Sequence, residues 1–170
     1  MVQRTEKADF AGGALLFPGG KVDEDDHHLL ASKLCDFSEA IDNKLRALRI
    51  AGAREIFEEA GLLFARDAES RQLIDDVRAQ VINSKYRQKL LNKELTFSQI
   101  ISDEGLMVAT DLLVPFAHWI TPITGKKRFD THFLIAKALK KASALHKKQS
   151  KVIEKHIKEM KRGGSKKRYG

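Results

Sequence analysis

Arg54-Glu55-Ile56-Phe57-Glu58-Glu59-Ala60-Gly61-Leu62 decides how the rest of this chain is read. On a helix, Glu55, Glu58 and Glu59 are spaced i, i+3, i+4 and share one face. Carboxylates crowded there repel one another unless a cation lies between them. Hard oxygen donors at that spacing suit Mg²⁺ or Mn²⁺. Arg54 precedes the cluster and is placed to hydrogen-bond a carboxylate and fix its orientation. Gly61 sits where a left-handed C-terminal residue ends a helix. The plain alternative is a solvated acidic face. Two features argue against it: Ile56, Phe57 and Ala60 interleave with the acids, so the helix must pack, and Phe17-Pro18-Gly19-Gly20-Lys21 upstream offers backbone N–H groups and a lysine.

Working outward, residues 38–60 form the strongest helical segment. Ser38 is the expected N-cap, and Ile41, Leu45, Leu48, Ala51, Ile56 and Ala60 are its apolar positions. Upstream, residues 10–22 read as a short strand entering a glycine turn, and Asp23-Glu24-Asp25-Asp26 as the acidic approach to a helix starting near His27. Downstream, Leu62-Leu63-Phe64 reads as a strand and Glu69 to about Lys93 as a helix. Thr96 or Ser98 caps a short helix that runs through Ile101 and stops at Gly105. Val114–Thr121 and Phe129–Ala136 read as two strands, separated by Pro122 and the basic turn Lys126-Lys127-Arg128. Strands alternating with long helices predict one α/β or α+β domain.

The nine-residue segment resembles the second half of the Nudix box, which runs Gly, five residues, Glu, seven residues, then Arg-Glu-apolar-x-Glu-Glu-x-Gly-apolar. Residues 54–62 match every specified position, and Gly19-Gly20-Lys21 matches the opening. There are two departures. Asp26 stands where the box has glutamate, and 27 residues rather than seven separate it from Arg54. A long insertion, here 27–50 within a box spanning 20–62, is similar to the Nudix branch that contains the peroxisomal coenzyme A diphosphatase of animals and its bacterial relatives. Trp119-Ile120-Thr121-Pro122 and Arg128-Phe129-Asp130-Thr131 resemble the same branch. Arg4, Thr5, Gly13 and Phe17-Pro18-Gly19-Gly20 resemble a motif of coenzyme A-cleaving members, with Asp9 where that motif has arginine.

The resemblance implies a Nudix-type mixed β-sheet sandwiched between helices over residues 1–137. It also implies metal-dependent hydrolysis of a nucleoside diphosphate linked to another moiety, coenzyme A or acyl-coenzyme A being the sharper substrate. Glu55, Glu58 and Glu59 are the implied ligands of Mg²⁺ or Mn²⁺. Arg54 joins them as a catalytic residue, one glutamate is the general base, and Gly19, Gly20, Lys21 and Arg128 face the substrate. Family members have a further strand before Met1 and more chain after the Arg128–Thr131 strand, so the chain is expected to be truncated at both ends.

Composition agrees with a globular domain: 170 residues, 42% hydrophobic and 32% charged, enough to bury a core. Leu112–Ile120, interrupted by His118, falls far short of the roughly 18 apolar residues of a membrane span. A single cysteine, Cys35, excludes an internal disulfide, reads as a buried or half-buried structural thiol, and fits a reducing, cytoplasmic setting. The net charge of +8 is unevenly spread. Residues 137–170 hold 13 Lys/Arg against Glu154 and Glu159, whereas residues 1–136 hold 18 against 21 acids. Residues 138–170 therefore read as a basic helical or disordered tail, with no motif for specific nucleic-acid recognition. Two other functions compete: a catalytically inactive Nudix fragment, and polyanion (RNA or membrane) binding through the tail. His27-His28 reads as a polar helix start rather than a metal site, and Trp119 and His118 as core residues.

Overall fold

The computed structural model describes residues 2–3, 15–35, 41–123 and 128–136. The basic tail, Ser38, Lys126, Lys127 and the 4–14 stretch carrying Arg4, Thr5, Asp9 and Gly13 lie outside them.

The box segment ends a long helix, α2 (Asn43–Ala60). Its N-cap is Asp42, whose carboxylate accepts the Leu45 N–H at 2.7 Å. The helix thus begins five residues after the expected Ser38 cap, where a carboxylate satisfies a free amide. Gly61 closes it with φ 68°, its N–H donating to the Phe57 carbonyl at 2.9 Å. Alanine in that place meets left-handed strain and a Cβ 2.7 Å from Asn83 Nδ2. The inner stripe of α2 is Ala47, Ile50, Ala51, Ala53 and Phe57. Phe57 is fully buried with its ring centroid 5.9 Å from that of Phe97. Burying such a ring is worth about 1.5–3 kcal/mol.

Helix α1 (Glu24–Ala31) starts three residues earlier than expected because Asp23 and Asp26 form a capping box. Each accepts the other's backbone N–H, at 3.0 and 3.1 Å. Helix α1 packs between α2 and α4 (Phe97–Asp103). Ser98 N–H donates to Asp25 Oδ2 at 2.8 Å, and the Ser98 hydroxyl hydrogen-bonds Asp25 Oδ1. Thr96 caps α4 in a capping box with Gln99, and Gly105 follows at φ 60°.

Between α2 and α4, the strand expected at Leu62–Phe64 lies later, at Ala65–Asp67 (β3), and the helix expected from Glu69 is α3, Asp76–Leu91. Local carboxylates explain the delay. Asp67 Oδ1 accepts the Glu69 and Ser70 amides, folding a turn, and Asp75 then caps α3 through the Arg78 amide. Strand β4 (Leu106–Val108) was not legible beforehand: it has three residues, all buried, so there is no alternation to read.

The α+β class holds. Among the described residues the strands pair as three two-stranded antiparallel sheets. These are β1 (Val2–Gln3) with β2 (Leu15–Leu16), β3 with β4, and β5 (Leu113–Ile120) with β6 (Asp130–Ala136). The β5–β6 register shifts between Pro115 and Ala117, where Pro115 has no N–H for a ladder. The core gathers Leu29, Ile50, Phe57, Ile82, Phe97, Ile100, Leu106, Val108 and Leu113. Cys35 is buried beside it, its thiol donating to the Leu29 carbonyl at 3.5 Å. No helix among the described residues is long and apolar enough to cross a membrane.

Candidate active site

Arg54 is the centre of the site. Its side chain is almost wholly buried, and so is that of Asp26, which faces it across the insertion. Nε donates to Asp26 Oδ1 at 3.0 Å and Nη2 to Asp26 Oδ2 at 3.1 Å, a two-pronged pairing of guanidinium and carboxylate. Nη2 also donates to the Lys21 carbonyl at 2.9 Å. Nη1 donates to Glu55 Oε1 and Glu58 Oε1, both at 3.0 Å. One guanidinium therefore joins the glycine-rich turn, the start of the insertion and two box glutamates. The pairing of Asp26 with Arg54 is made although 27 residues separate them.

Burial works against the charge of Arg54, but hydrogen bonds and attraction from Asp26, Glu58 and Glu55 outweigh it and hold the guanidinium protonated. Burial is also the largest influence on Asp26 and pushes its carboxyl up, against the pull of Arg54. Glu55 is pushed up first by burial and further by the charges of Glu58 and Glu59, with Arg54 opposing. Glu55 thus sits among like charges, with Arg54 pulling the other way. Glu59 is exposed at the last turn.

Gly20 explains the glycine turn. A Cβ there would lie 2.1 Å from Glu55 Oε1, so any other residue would force that carboxylate to move from its place beside Arg54. Gly19 is exposed with open space around it. Lys21 touches the site through its carbonyl, while the residue is exposed. Arg128 is exposed just before β6, and no contact among the described residues links it to the carboxylates.

Arg87, on α3, was missed by the sequence reading. Its Nε donates to the Phe57 and Glu58 carbonyls at 3.1 and 2.9 Å, and Nη2 to the Glu59 carbonyl at 3.1 Å. It thereby satisfies carbonyls that the last turn of a helix leaves unpaired. Its signal is an arginine some thirty residues from the box, which nothing local distinguishes.

Two other readings are corrected. Trp119 is 65% exposed rather than core, on a hairpin face that no described element covers. His118 is likewise exposed and hydrogen-bonds Asp130. His27 and His28 are exposed on α1.

No protein-family model matches the chain. It is 24% identical over 174 residues to an acyl-coenzyme A diphosphatase, NUDT19, of Xenopus laevis, covering 79% of this chain and 46% of that protein. It is 27% identical over 139 residues to a putative nudix hydrolase 7 of Caenorhabditis elegans, covering 79% of this chain and 38% of that protein. A crystal structure of a Nudix hydrolase from Alicyclobacillus acidocaldarius superposes with a TM-score of 0.56 at 30% identity, covering 79% of this chain and 59% of that one. In both sequence and fold the chain is similar to Nudix hydrolases. It spans less than half the length of the two curated relatives. Asp26, at the position where the Nudix box has glutamate, is paired with Arg54.

Proposed function

We propose that this Nudix chain hydrolyses a diphosphate that links a nucleoside to another moiety, with coenzyme A or acyl-coenzyme A as substrate. The carrying observation is the Arg54 network, which holds the turn and the box glutamates in one place across the long insertion. The acyl-coenzyme A diphosphatase among the relatives supports the substrate class.

The donor set fits a hard divalent cation, Mg²⁺ or Mn²⁺. Glu55, Glu58 and Glu59 supply only carboxylate oxygens, the donors such an ion prefers. These three side chains would hold the ion, which when bound polarises diphosphate oxygens and makes a water more acidic. Arg54 keeps Glu55 and Glu58 pointing to the same side by fixing one oxygen of each, and leaves each a second oxygen. Gly20 keeps the loop close to Glu55 without a side chain in the way. A carboxylate on this face takes the proton from the attacking water as phosphorus is substituted. Lys21 and Arg128 offer positive charge to substrate phosphates. Positioning and electrostatics supply most of the rate.

The test is mass-spectrometric product analysis of purified protein with coenzyme A, acyl-coenzyme A, ADP-ribose and dinucleoside polyphosphates. Each is run with Mg²⁺ or Mn²⁺ and again with EDTA. Expected is metal-dependent cleavage between phosphates, largely lost in Glu58→Gln and Glu59→Gln and kept in Glu69→Gln. Absence of cleavage from soluble, folded protein rejects the activity. Full activity in Glu59→Gln rejects the carboxylate assignment.

A further inference from the structure

A second donor set lies on the β5–β6 hairpin and includes none of the box glutamates. His118 on β5 is paired directly with His132 on β6. Asp130, two residues before His132, shares its face, because side chains alternate along a strand. The two imidazoles stack, with ring centroids 3.9 Å apart and planes 12° from parallel. His118 Nε2 hydrogen-bonds Asp130 Oδ1. His132 Nε2 approaches the same oxygen at 3.5 Å, with no hydrogen-bond partner among the described residues although the atom is enclosed. One ligand atom from each of the three residues lies within 4.8 Å of the others.

Hydrogen bonding alone accounts poorly for this arrangement. One carboxylate oxygen serves His118, and the second imidazole is brought to it without a bond of its own. Lys44 Nζ, 3.9 Å from Asp130 Oδ2, attends the other oxygen. A cation between the three donors would give the enclosed nitrogen a partner. Zinc–ligand distances of about 2.0–2.2 Å put neighbouring tetrahedral ligands roughly 3.3–3.5 Å apart. The His132–Asp130 separation already falls at that spacing, and His118 has to leave both the carboxylate and its stack on His132, because an imidazole ligates in its own ring plane. Two imidazoles and one carboxylate are borderline donors, suited to zinc and its neighbours rather than to the hard ions that the box suits.

We propose that His118 Nε2, His132 Nε2 and Asp130 Oδ1 bind a divalent transition-metal ion of the Zn²⁺ type, with its remaining coordination positions open to water. The ion would clamp β5 to β6 across the hairpin. Nothing in this proposal depends on the diphosphatase reading, because it uses none of the box residues.

The experiment uses the full chain carrying Glu58→Gln and Glu59→Gln, which removes the competing carboxylate site. Zn²⁺ is titrated calorimetrically and followed by the imidazole nitrogen signals in NMR. Expected are one tight equivalent of Zn²⁺, ring-nitrogen shifts at both His118 and His132, and no displacement by excess Mg²⁺. His132→Gln and Asp130→Asn should each lower Zn²⁺ affinity by roughly tenfold or more, with circular dichroism confirming that they fold. Unshifted His118 and His132 rings at saturating Zn²⁺ overturn the proposal without any hairpin variant. Unchanged affinity in His132→Gln does so too.

Discussion

Replacing Asp26 by asparagine keeps the shape of the side chain and removes its charge. In the native site, Oδ1 accepts from Arg54 Nε, while Oδ2 accepts from Arg54 Nη2 and from the Asp23 amide. Asparagine has one acceptor oxygen and one NH₂, so at least one donor then faces another donor in a position closed to water. Removing one partner of a buried ion pair costs about 3–5 kcal/mol. Arg54 keeps Glu55, Glu58 and the Lys21 carbonyl, which places the expected loss at the lower end, about 3 kcal/mol. For a chain of this size that lowers Tm by about 6–12 °C. Urea unfolding of wild type, Asp26→Asn, Arg54→Met and the double variant isolates the pair from the rest of the network. A coupling energy below about 1 kcal/mol would refute the argument that this pair closes the box across the insertion.

Two further outcomes follow from the same structure. Arg87→Ala should remove three hydrogen bonds to the last turn of α2, destabilise the protein by about 1–2 kcal/mol, and raise the Mg²⁺ concentration needed for half-maximal cleavage. An unchanged metal dependence would reduce Arg87 to a purely stabilising role. Asp67 is held well below the usual carboxylate range, first by the Arg78 hydrogen bond and then by the Ser70 amide and hydroxyl. A carboxyl depressed in the folded state adds stability above its unfolded pKa of about 4 and loses it as pH falls below that. Urea midpoints between pH 7 and pH 3 should therefore fall less steeply in Asp67→Asn than in wild type. Parallel slopes would contradict the Arg78–Asp67 assignment.

Helix α2 and its end at Gly61 could be read directly, because amphipathic spacing and a left-handed glycine are local properties. The same holds for α4 with its Thr96 cap and for the β5–β6 strands, whose limits fall within a residue or so of those expected. Boundaries moved where competing local hydrogen bonds were invisible in one dimension. Asp42 caps α2, and the Asp67 turn delayed α3 to Asp76. Trp119 was misplaced because hydrophobicity states a preference for burial, whereas only neighbouring elements determine whether anything covers the residue.

By itself the sequence determined the acidic helix face, the glycine that ends it and the family it resembles, since each depends on residues within one or two helical turns. Contacts between segments far apart in the chain were decided by tertiary structure alone. Packing α1 against α2 brought Asp26 to Arg54, and α3 laid Arg87 on the carbonyls of Glu58 and Glu59. Hairpin register set His118 opposite His132 beside Asp130. Such pairings depend on how buried surfaces choose their neighbours. That choice is made by the whole core at once, and no local stretch of residues records it.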